Sequence, residues 1–317
     1  MRLLRSLRGD GTRKAVLLAL AAVAMWSTAA SAFKLSLRYQ SPYMLLQLSS
    51  LISLAVLGAM GRLGGRWNLP LSPVRLGEAA VRGALNPFLY YLVLLEAYDR
   101  LPAQVAMVIN YLWPVTLVLL SIPLLGQRIL GRQIAAVLVS FGGVVVLAAG
   151  RGSGSLSADL GPVLLALAST VIWSMYWILN MRQEGDDTRK LMLNFLFGSI
   201  YLLAYGLVTG KIELPPMEGL LGSAYVGLFE MSLTYVVWLK ALSLARDTAQ
   251  VGNLIYLTPF LSLGVIALAV GERISPTTLV GLALVIGGVA LQKAVGSSRG
   301  AEPGDSGDWP GPRGGVR

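Results

Sequence analysis

Apolar stretches of about 20 residues recur along the whole chain, and they limit the possible folds more than any other feature of the sequence. A helix needs about 20 mostly apolar residues to cross the hydrocarbon core of a bilayer. Between such stretches the chain is rich in Gly, Pro, Asn and Ser, which end helices. Ten stretches fit this pattern, at residues 14–33, 42–61, 76–98, 102–125, 129–149, 160–181, 191–210, 219–242, 248–270 and 276–295. The sequence therefore predicts an all-α integral membrane protein with ten transmembrane helices.

The composition agrees with lipid as the solvent and argues against several kinds of function. Charged residues make up 13% of the chain, whereas soluble domains contain about 25%. The chain has no cysteine and no histidine, so it lacks thiolate ligands and the commonest general base and metal ligand. Its aspartates lie outside the spans or at their ends, and it has no Walker A motif. A membrane-embedded enzyme, an ATP-driven pump and a bound metal or cofactor are therefore not expected.

The distribution of Lys and Arg predicts the orientation. With the N-terminus inside, 19 of the 26 basic residues fall on the cytoplasmic side and six on the other side, while Arg82 lies within a span. Basic residues are retained on the cytoplasmic side of a membrane. We therefore expect two cytoplasmic tails, a short one at 1–13 and a Gly/Pro-rich, disordered one at 297–317. The positive net charge indicates contact with anionic membrane lipid and not with nucleic acid.

Short motifs recur in the same order with an offset of 145 to 147 residues. The pairs are MWS and IWS ending at Ser27 and Ser174, AQV at 103–105 and 249–251, YLWP at 111–114 and YLTP at 256–259, GQRI at 126–129 and GERI at 271–274, and GGV at 142–144 and 287–289. Two five-span repeats, 14–149 and 160–295, contain these motifs. Because each repeat has an odd number of spans, the second is expected to be inverted, as is typical of secondary transporters.

The start of the chain admits a second interpretation. A basic tail followed by AVLLALAAVAMW and STAASA also matches a secretory signal peptide with a small-residue cleavage site. Trp26 and Ser27 belong to the repeat, however. The first span is therefore expected to be a structural helix that the protein retains.

These features together resemble a known family. Two five-span repeats that each contain a Tyr-Leu-x-Pro helix, a G-[QE]-R turn and a Gly-Gly helix resemble the drug/metabolite transporter (DMT) superfamily of EamA type. The stretches NPFLYYLVLLEAYDRLPAQ at 86–104 and INYLWP at 109–114 are similar to YddG-type aromatic amino-acid exporters. The resemblance implies a transporter of the bacterial inner membrane that works by alternating access.

The two Tyr-Leu-x-Pro stretches are candidates for helix bending. Pro114 and Pro259 have no N–H, so the carbonyls of Asn110 and Ile255 lose their helical partner. In lipid such a carbonyl must find another donor or line a cavity. The prolines either only ease packing or let the two halves bend alike during transport.

Aromatic and amide side chains at membrane depth are candidates for a substrate cavity. Membrane Trp and Tyr usually lie near the headgroups, and Trp173, Tyr176, Trp177 and Asn180 would share one helical face. Each side chain has an alternative role, in core packing for a ring or as an interhelical contact for an amide. The candidates are Gln47, Asn86, Tyr90, Tyr91, Asn110, Tyr111, Trp113, Trp173, Trp177, Tyr235, Asn253 and Tyr256.

Glu230 completes the candidate set. It lies in the middle of a span with no cation three or four residues away, and an acidic residue at such a depth is a functional hypothesis by default. It could carry a proton and so couple transport to a pH gradient, or it could be a protonated contact between helices. The expected substrates are amphiphilic amino acids with aromatic or hydrophobic side chains, and hydrophobic cationic drugs are the alternative. Phosphorylated substrates are disfavoured because Arg82 is the one basic residue within a span.

Overall fold

The computed structural model describes residues 10–63, 72–126, 131–149, 160–181, 187–245 and 248–297, and all regular secondary structure in these ranges is helical. Most of both predicted tails, at 1–13 and 297–317, lies outside the described residues. The α-helices of these ranges are α1 (Asp10–Ser36), α2 (Pro42–Leu63), α3 (Pro73–Gly83), α4 (Tyr90–Arg100), α5 (Ala103–Asn110), α6 (Trp113–Leu125), α7 (Gly131–Ala149), α8 (Gly161–Met181), α9 (Asp187–Thr209), α10 (Met217–Tyr225), α11 (Thr234–Leu244), α12 (Thr248–Gly252), α13 (Thr258–Val265) and α14 (Pro276–Ser297).

Several of these helices follow one another without a loop. The π-helical segments Ala84–Leu89, Val226–Leu233 and Ile266–Val270 continue α3, α10 and α13, and the 3₁₀ segment Asn253–Leu257 joins α12 to α13. Such local departures from α-helical geometry are frequent at functional sites.

The helices have the length and composition of membrane spans. In the described part of the chain, seven helical stretches are long and apolar enough to cross a bilayer, and Gln133–Leu147 and Pro276–Gln292 are shorter apolar helices. The prediction of an all-helical membrane protein with several spans is therefore confirmed. The seven stretches are Thr12–Ser36, Pro42–Leu63, Ala103–Leu125, Gly161–Asn180, Asp187–Thr209, Met217–Leu244 and Asn253–Val270.

Glycines end two of the helical stretches at corresponding positions. Gly126 follows α6 with a φ of 68°, and Gly271 follows the segment Ile266–Val270 with a φ of 80°. Both angles lie in the left-handed region, which glycine adopts without a steric penalty. These are the glycines of the GQRI and GERI motifs, so the motif glycine is explained by the turn it makes.

The described residues divide into two compact units. In the first unit, which contains 10–88 and 187–270, α1 packs on α11 and α13, and α2 packs on α9 and on Val226–Leu233. One core of this unit joins small side chains of α1 to Trp238 and Val251; its α1 members are Ala15, Ala19, Ala22 and Val23.

The second unit contains residues 89–181 and 271–297. Here α8 packs on α4, α5 and α6, and α14 packs on α7. In each unit, therefore, the first helix of one predicted repeat packs on helices of the other repeat. Helix α1 lies against α11 and α13, and α8 lies against α4 and α6. We call this arrangement the helix exchange.

Close contacts in the first unit occur as a corresponding pair. A Cβ atom at Gly83 would lie 2.6 Å from the carbonyl oxygen of Asn194, and one at Gly227 would lie 2.6 Å from that of Ser49. The glycines are 144 residues apart and their partners are 145 apart. Small residues that let backbones approach are a usual basis of packing between membrane helices.

A second such pair joins α7 to α14 in the second unit. A Cβ atom at Gly143 would lie 2.7 Å from the carbonyl oxygen of Gly281, and one at Gly288 would lie 2.6 Å from that of Ala136. Both the glycines and their partners are 145 residues apart. The same spacing that relates the sequence motifs thus relates the backbone contacts.

Candidate functional site

Six aromatic side chains meet in the second unit, and we call them the aromatic cluster. Helix α8 carries Trp173, Tyr176 and Trp177 at the spacing that places them on one helical face. The other members are Tyr90 and Tyr91 at the start of α4 and Trp113 at the start of α6. Five of the six were predicted as cavity residues, and Tyr176 was predicted to share their face.

Three of the six ring pairs of the aromatic cluster are stacked, and the other three meet edge to face. The centroids of Tyr90 and Trp173 are 4.5 Å apart with an interplanar angle of 29°, and those of Trp173 and Tyr176 are 5.5 Å apart at 27°. The rings of Trp113 and Trp177 are 6.4 Å apart at 18°, and Trp177 also meets Trp173 edge to face. Each favourable aromatic pair contributes about 0.5–1.5 kcal/mol beyond its buried area.

The cluster has a buried part and an accessible part. Trp173 is 8% exposed, and Tyr90, Tyr91 and Tyr176 are also buried, whereas Trp113 and Trp177 are half-buried. The exposed parts of Trp113 and Trp177 can therefore pack against an apolar or aromatic side chain. A ring face also attracts an ammonium group.

The predicted cavity residue Asn110 joins the aromatic cluster to α8. The Tyr90 hydroxyl donates to Asn110 Oδ1 at 3.4 Å, and Asn110 Nδ2 donates to Ser169 Oγ at 3.1 Å. The Ser169 hydroxyl in turn donates to the carbonyl of Ala166 at 2.7 Å. The amide thus links three helices, α4, α5 and α8, and helps to fix the position of the Tyr90 ring.

The helical path is broken at the first Tyr-Leu-x-Pro stretch. Helix α5 ends at Asn110, the half-buried Tyr111 and Leu112 form a turn, and α6 begins at Trp113. Pro114 lies in the first turn of α6, where an N–H would have no intrahelical partner. The proline is therefore accommodated by starting a new helix.

Two hydroxyl groups hold the start of α6 against α8, and we call them and their acceptors the hydroxyl cluster. Thr116 Oγ1 and Ser174 Oγ lie 3.0 and 2.9 Å from the carbonyl oxygen of Trp113. They also lie 3.1 and 2.7 Å from the carbonyl oxygen of Thr170, and 2.7 Å from each other. None of these groups was predicted as a site residue from the sequence. The recurring Trp-Ser pair was the one signal that could have identified Ser174.

The second Tyr-Leu-x-Pro stretch, in the first unit, makes fewer hydrogen bonds to its neighbouring helix among the described residues. We call the contact between such a broken helix and its neighbouring helix the joint. Helix α13 begins at Thr258, directly before Pro259, and follows the 3₁₀ segment that contains the half-buried Tyr256 and the exposed Asn253. Ser27 Oγ lies 2.6 Å from the carbonyl oxygen of Val23 and 3.4 Å from that of Thr258. Ser27 and Ser174 thus donate to corresponding carbonyls, each on the residue before the proline.

The other predicted cavity residues lie in the first unit. Gln47 on α2 and Asn86 in Ala84–Leu89 are buried, and Glu230 in Val226–Leu233 is half-buried. Tyr235 on α11 meets Trp26 edge to face at 5.5 Å. The structure therefore brings together the candidates of the second unit around α8, while those of the first unit lie on separate elements.

Asn86 and Glu230 occupy corresponding π-helical segments, 144 residues apart. Asn86 has a φ of −144° and a ψ of 117°, which are not helical values. In the other segment, the hydroxyls of Ser232 and Thr234 donate to carbonyls five residues earlier. Backbone groups released by the irregular winding are thus partly satisfied by nearby hydroxyls, as a membrane interior requires.

An acidic side chain caps the broken helix of the second unit. Glu272, from the GERI motif, accepts hydrogen bonds from the backbone N–H of Ala103 at 2.7 Å and of Gln104 at 3.2 Å. A negative charge at a helix N-terminus is favourable because unpaired N–H groups point toward it. The Gln104 side chain also bonds to the loop after Glu272, through the carbonyl of Arg273 and the N–H of Ser275. The start of α5 is therefore fixed to the segment before α14.

Interrupted helices in a protein with several apolar helical spans are typical of membrane transport proteins. Comparison with known families makes the assignment specific. The model of the EamA-like transporter family matches residues 13–149 and again residues 160–292. The chain belongs to the EamA-like transporter family of the DMT superfamily, so the resemblance inferred from the sequence is confirmed.

Relatives of known name include amino-acid exporters. The chain is 28% identical to the aromatic amino acid exporter YddG of Ancylobacter novellus, over 87% of this chain and 96% of that protein. It is also 28% identical to a probable terminal-alkyne amino-acid exporter of Streptantibioticus cattleyicolor, over 88% of this chain and 93% of that protein. A solved crystal structure of a protein with 26% identity covers 89% of this chain and 98% of its own, with a TM-score of 0.61.

Proposed function

We propose that this protein is a secondary transporter that exports aromatic and other hydrophobic amino acids across the bacterial inner membrane by alternating access. The observation that carries the proposal is the aromatic cluster, in which the half-buried Trp113 and Trp177 lie next to the buried stack of Tyr90 and Trp173. The names of two relatives that are matched over nearly their whole lengths support amino-acid export as the activity.

The proposed architecture is ten transmembrane helices in two inverted five-helix repeats, 14–149 and 160–295, with both termini in the cytoplasm. The family model matches twice, in nearly the same ranges. The corresponding pairs of close backbone contacts support the same relation between the repeats. The excess of Lys and Arg on one side supports the orientation.

The chemistry of the aromatic cluster favours a zwitterion with an apolar side chain. Its rings can stack on the side chain of the substrate and attract its ammonium group. Among the described residues, no group of three or more acidic side chains could hold a metal ion. We propose that the amides Gln47, Asn86, Asn110 and Asn253, the rings Tyr91, Tyr111, Tyr235 and Tyr256, and Glu230 also line the transport pathway, and that Pro114 and Pro259 allow helices to bend.

Efflux of hydrophobic cations is the second candidate, and Glu230 favours it. A half-buried carboxylate in a membrane-spanning helix could attract a cationic drug, and aromatic rings would bind its apolar part. The two functions differ in charge selectivity. An amino-acid exporter should prefer a zwitterion to an amine of the same side chain, and a drug exporter should prefer the amine.

The test is counterflow in proteoliposomes that contain the purified protein. Vesicles loaded with unlabelled tryptophan should accumulate labelled tryptophan and phenylalanine, and tryptamine should compete more weakly than tryptophan. Vesicles with Trp113→Ala should show weaker competition by aromatic amino acids at equal protein content. Accumulation of labelled tryptamine but not of labelled tryptophan would replace the proposal by cation efflux, and accumulation of neither would refute both.

A further inference from the structure

Two hydroxyl groups contact the carbonyl oxygen of Trp113, although a carbonyl within a helix needs no side-chain donor. Thr116 Oγ1 and Ser174 Oγ approach it at 3.0 and 2.9 Å, from its own helix and from α8. Both hydroxyls are buried, Thr116 with 6% exposure and Ser174 with none. The backbone that carries the Trp113 ring is therefore fixed by a contact from a different helix.

The two hydroxyl groups form a closed set with two carbonyls. Each hydroxyl has one proton to donate, and the carbonyls of Trp113 and Thr170 are both within reach of both hydroxyls. The two hydroxyls also lie 2.7 Å from each other, so their two protons are shared among the two carbonyls and the contact between the hydroxyls. If one is removed, a single proton must serve both carbonyls, and in a buried environment the weakened contact is not replaced by water.

Helix α8 holds the chain on both sides of the turn at Tyr111–Leu112. Before the turn, Ser169 accepts from Asn110, and after it, Ser174 donates to the carbonyl of Trp113. Trp173 is adjacent to Ser174, and its ring contacts Trp177, which stacks with Trp113. The hydroxyl cluster thus connects the backbones whose rings make up the aromatic cluster.

We infer that Ser174 and Thr116 are positioning residues for recognition of aromatic side chains. They hold the backbone of Trp113 on α8, and this keeps the Trp113 ring parallel to that of Trp177 at 6.4 Å. The inference rests on the proposed function in that the substrate carries the aromatic group. It goes beyond that function because neither hydroxyl needs to touch the substrate.

The first unit supplies a matched control. Ser27 corresponds to Ser174 at an offset of 147, and it also donates to the carbonyl before a proline, at 3.4 Å. At offsets of 147 and 145, however, Val23 and Leu261 replace Thr170 and Thr116. The second hydroxyl is thus absent, and Ser27 has no aromatic stack like that of Trp113 to position.

The experiment compares KM for tryptophan and for leucine in proteoliposomes. Ser174→Ala and Thr116→Val should each raise KM for tryptophan about three- to tenfold, the equivalent of up to one aromatic contact. KM for leucine and both Vmax values should change less than about twofold. Thr116→Ser keeps the hydroxyl and should restore the wild-type ratio, and Ser27→Ala should leave that ratio unchanged.

Near-UV circular dichroism of the purified variants gives a readout that needs no transport. Ser174→Ala should change the tryptophan bands through the Trp113–Trp177 pair, and Thr116→Ser should not. Equal changes in KM for tryptophan and leucine, or a Thr116→Ser protein that behaves like Thr116→Val, would overturn the inference. If the wild type transports neither amino acid, the proposed function fails, and an unchanged spectrum of Ser174→Ala would separately overturn the positioning role.

Discussion

The two broken helices of this transporter have the same design but different joints. In the second unit, two hydroxyls hold the carbonyl of Trp113, and the shorter contact is 2.9 Å. In the first unit, Ser27 reaches the carbonyl of Thr258 at 3.4 Å, the one side-chain contact to that carbonyl among the described residues, and its shorter contact is to Val23 on its own helix. The two Tyr-Leu-x-Pro stretches therefore share the break itself and differ in how it is held to the neighbouring helix.

The aromatic side chains of the two units also differ, in the angle at which their rings meet. Trp173 stacks with Tyr90 at an interplanar angle of 29°, whereas its counterpart Trp26 meets Tyr235 edge to face at 86°. Both arrangements are favourable for aromatic pairs, so the two units differ in the geometry of their ring contacts. The comparison teaches that similar breaks can be held by different sets of contacts, and that the proposed site lies in the unit whose broken helix is held by more of them.

The largest effect is expected for Trp173, the ring at the centre of the aromatic cluster. Trp173→Ala should weaken tryptophan transport about tenfold in KM or more, because it removes contacts with three rings. It should also cost about 3–5 kcal/mol of stability, as expected for a buried Trp. Uptake kinetics and thermal unfolding of the same preparation measure both.

Trp26→Ala is the matched variant in the other unit. It should lower stability but leave the order of preference among substrates unchanged. A folded Trp173→Ala protein with wild-type KM for every amino acid would remove this ring from the proposed site.

The second prediction concerns Glu230, whose counterpart at an offset of 144 residues is the uncharged Asn86. If Glu230 carries a proton, a gradient of one pH unit can drive about tenfold accumulation of substrate. Glu230→Gln should abolish that stimulation and keep exchange of substrate, since exchange moves no net proton. Accumulation and counterflow are measured on one purified variant. Gradient-driven accumulation that survives in Glu230→Gln would end the proton-carrier hypothesis.

The third prediction tests the close packing of α7 on α14 with two adjacent glycines. A Cβ at Gly143 would lie 2.7 Å from a backbone oxygen of Gly281, while one at Gly142 would meet nothing within 4 Å. Gly143→Ala should therefore cost about 1–3 kcal/mol of stability through overpacking. Gly142→Ala should instead gain about 0.5–1 kcal/mol, because alanine favours the helix. Thermal unfolding in detergent distinguishes them, and equal shifts of the two variants would contradict the packing described.

The smallest effect separates the two prolines. Pro259→Ala should slow transport about threefold, because the first unit has a single long contact at its joint and depends on the proline for its break. Pro114→Ala should slow it less, since the hydroxyl cluster still holds the joint. Vmax at saturating substrate is the measurement. If Pro114→Ala lowers Vmax more than Pro259→Ala does, the joint of the second unit, and not that of the first, is the one that depends on its proline.

Much of this molecule could be predicted from local patterns in the sequence. Seven of the ten predicted spans coincide with helical stretches that are long and apolar enough to cross a bilayer, among the residues that the structure describes. The spacing of Trp173 and Trp177 identified one face of α8, because it depends on residues near each other in the chain. The hydroxyl of Thr116 gave no such signal, since its partner Ser174 is 58 residues away. The π-helical segments were also not predicted, because their winding is decided by packing between helices and not by composition.

The helix exchange also has a consequence for how the protein is made. Helix α1 leaves the ribosome long before α11 and α13 exist, and the surfaces of α4 and α6 that receive α8 are likewise uncovered until the second half begins. Neither half can complete its own packing, so the membrane must hold an early intermediate with unpaired helices until synthesis is nearly finished.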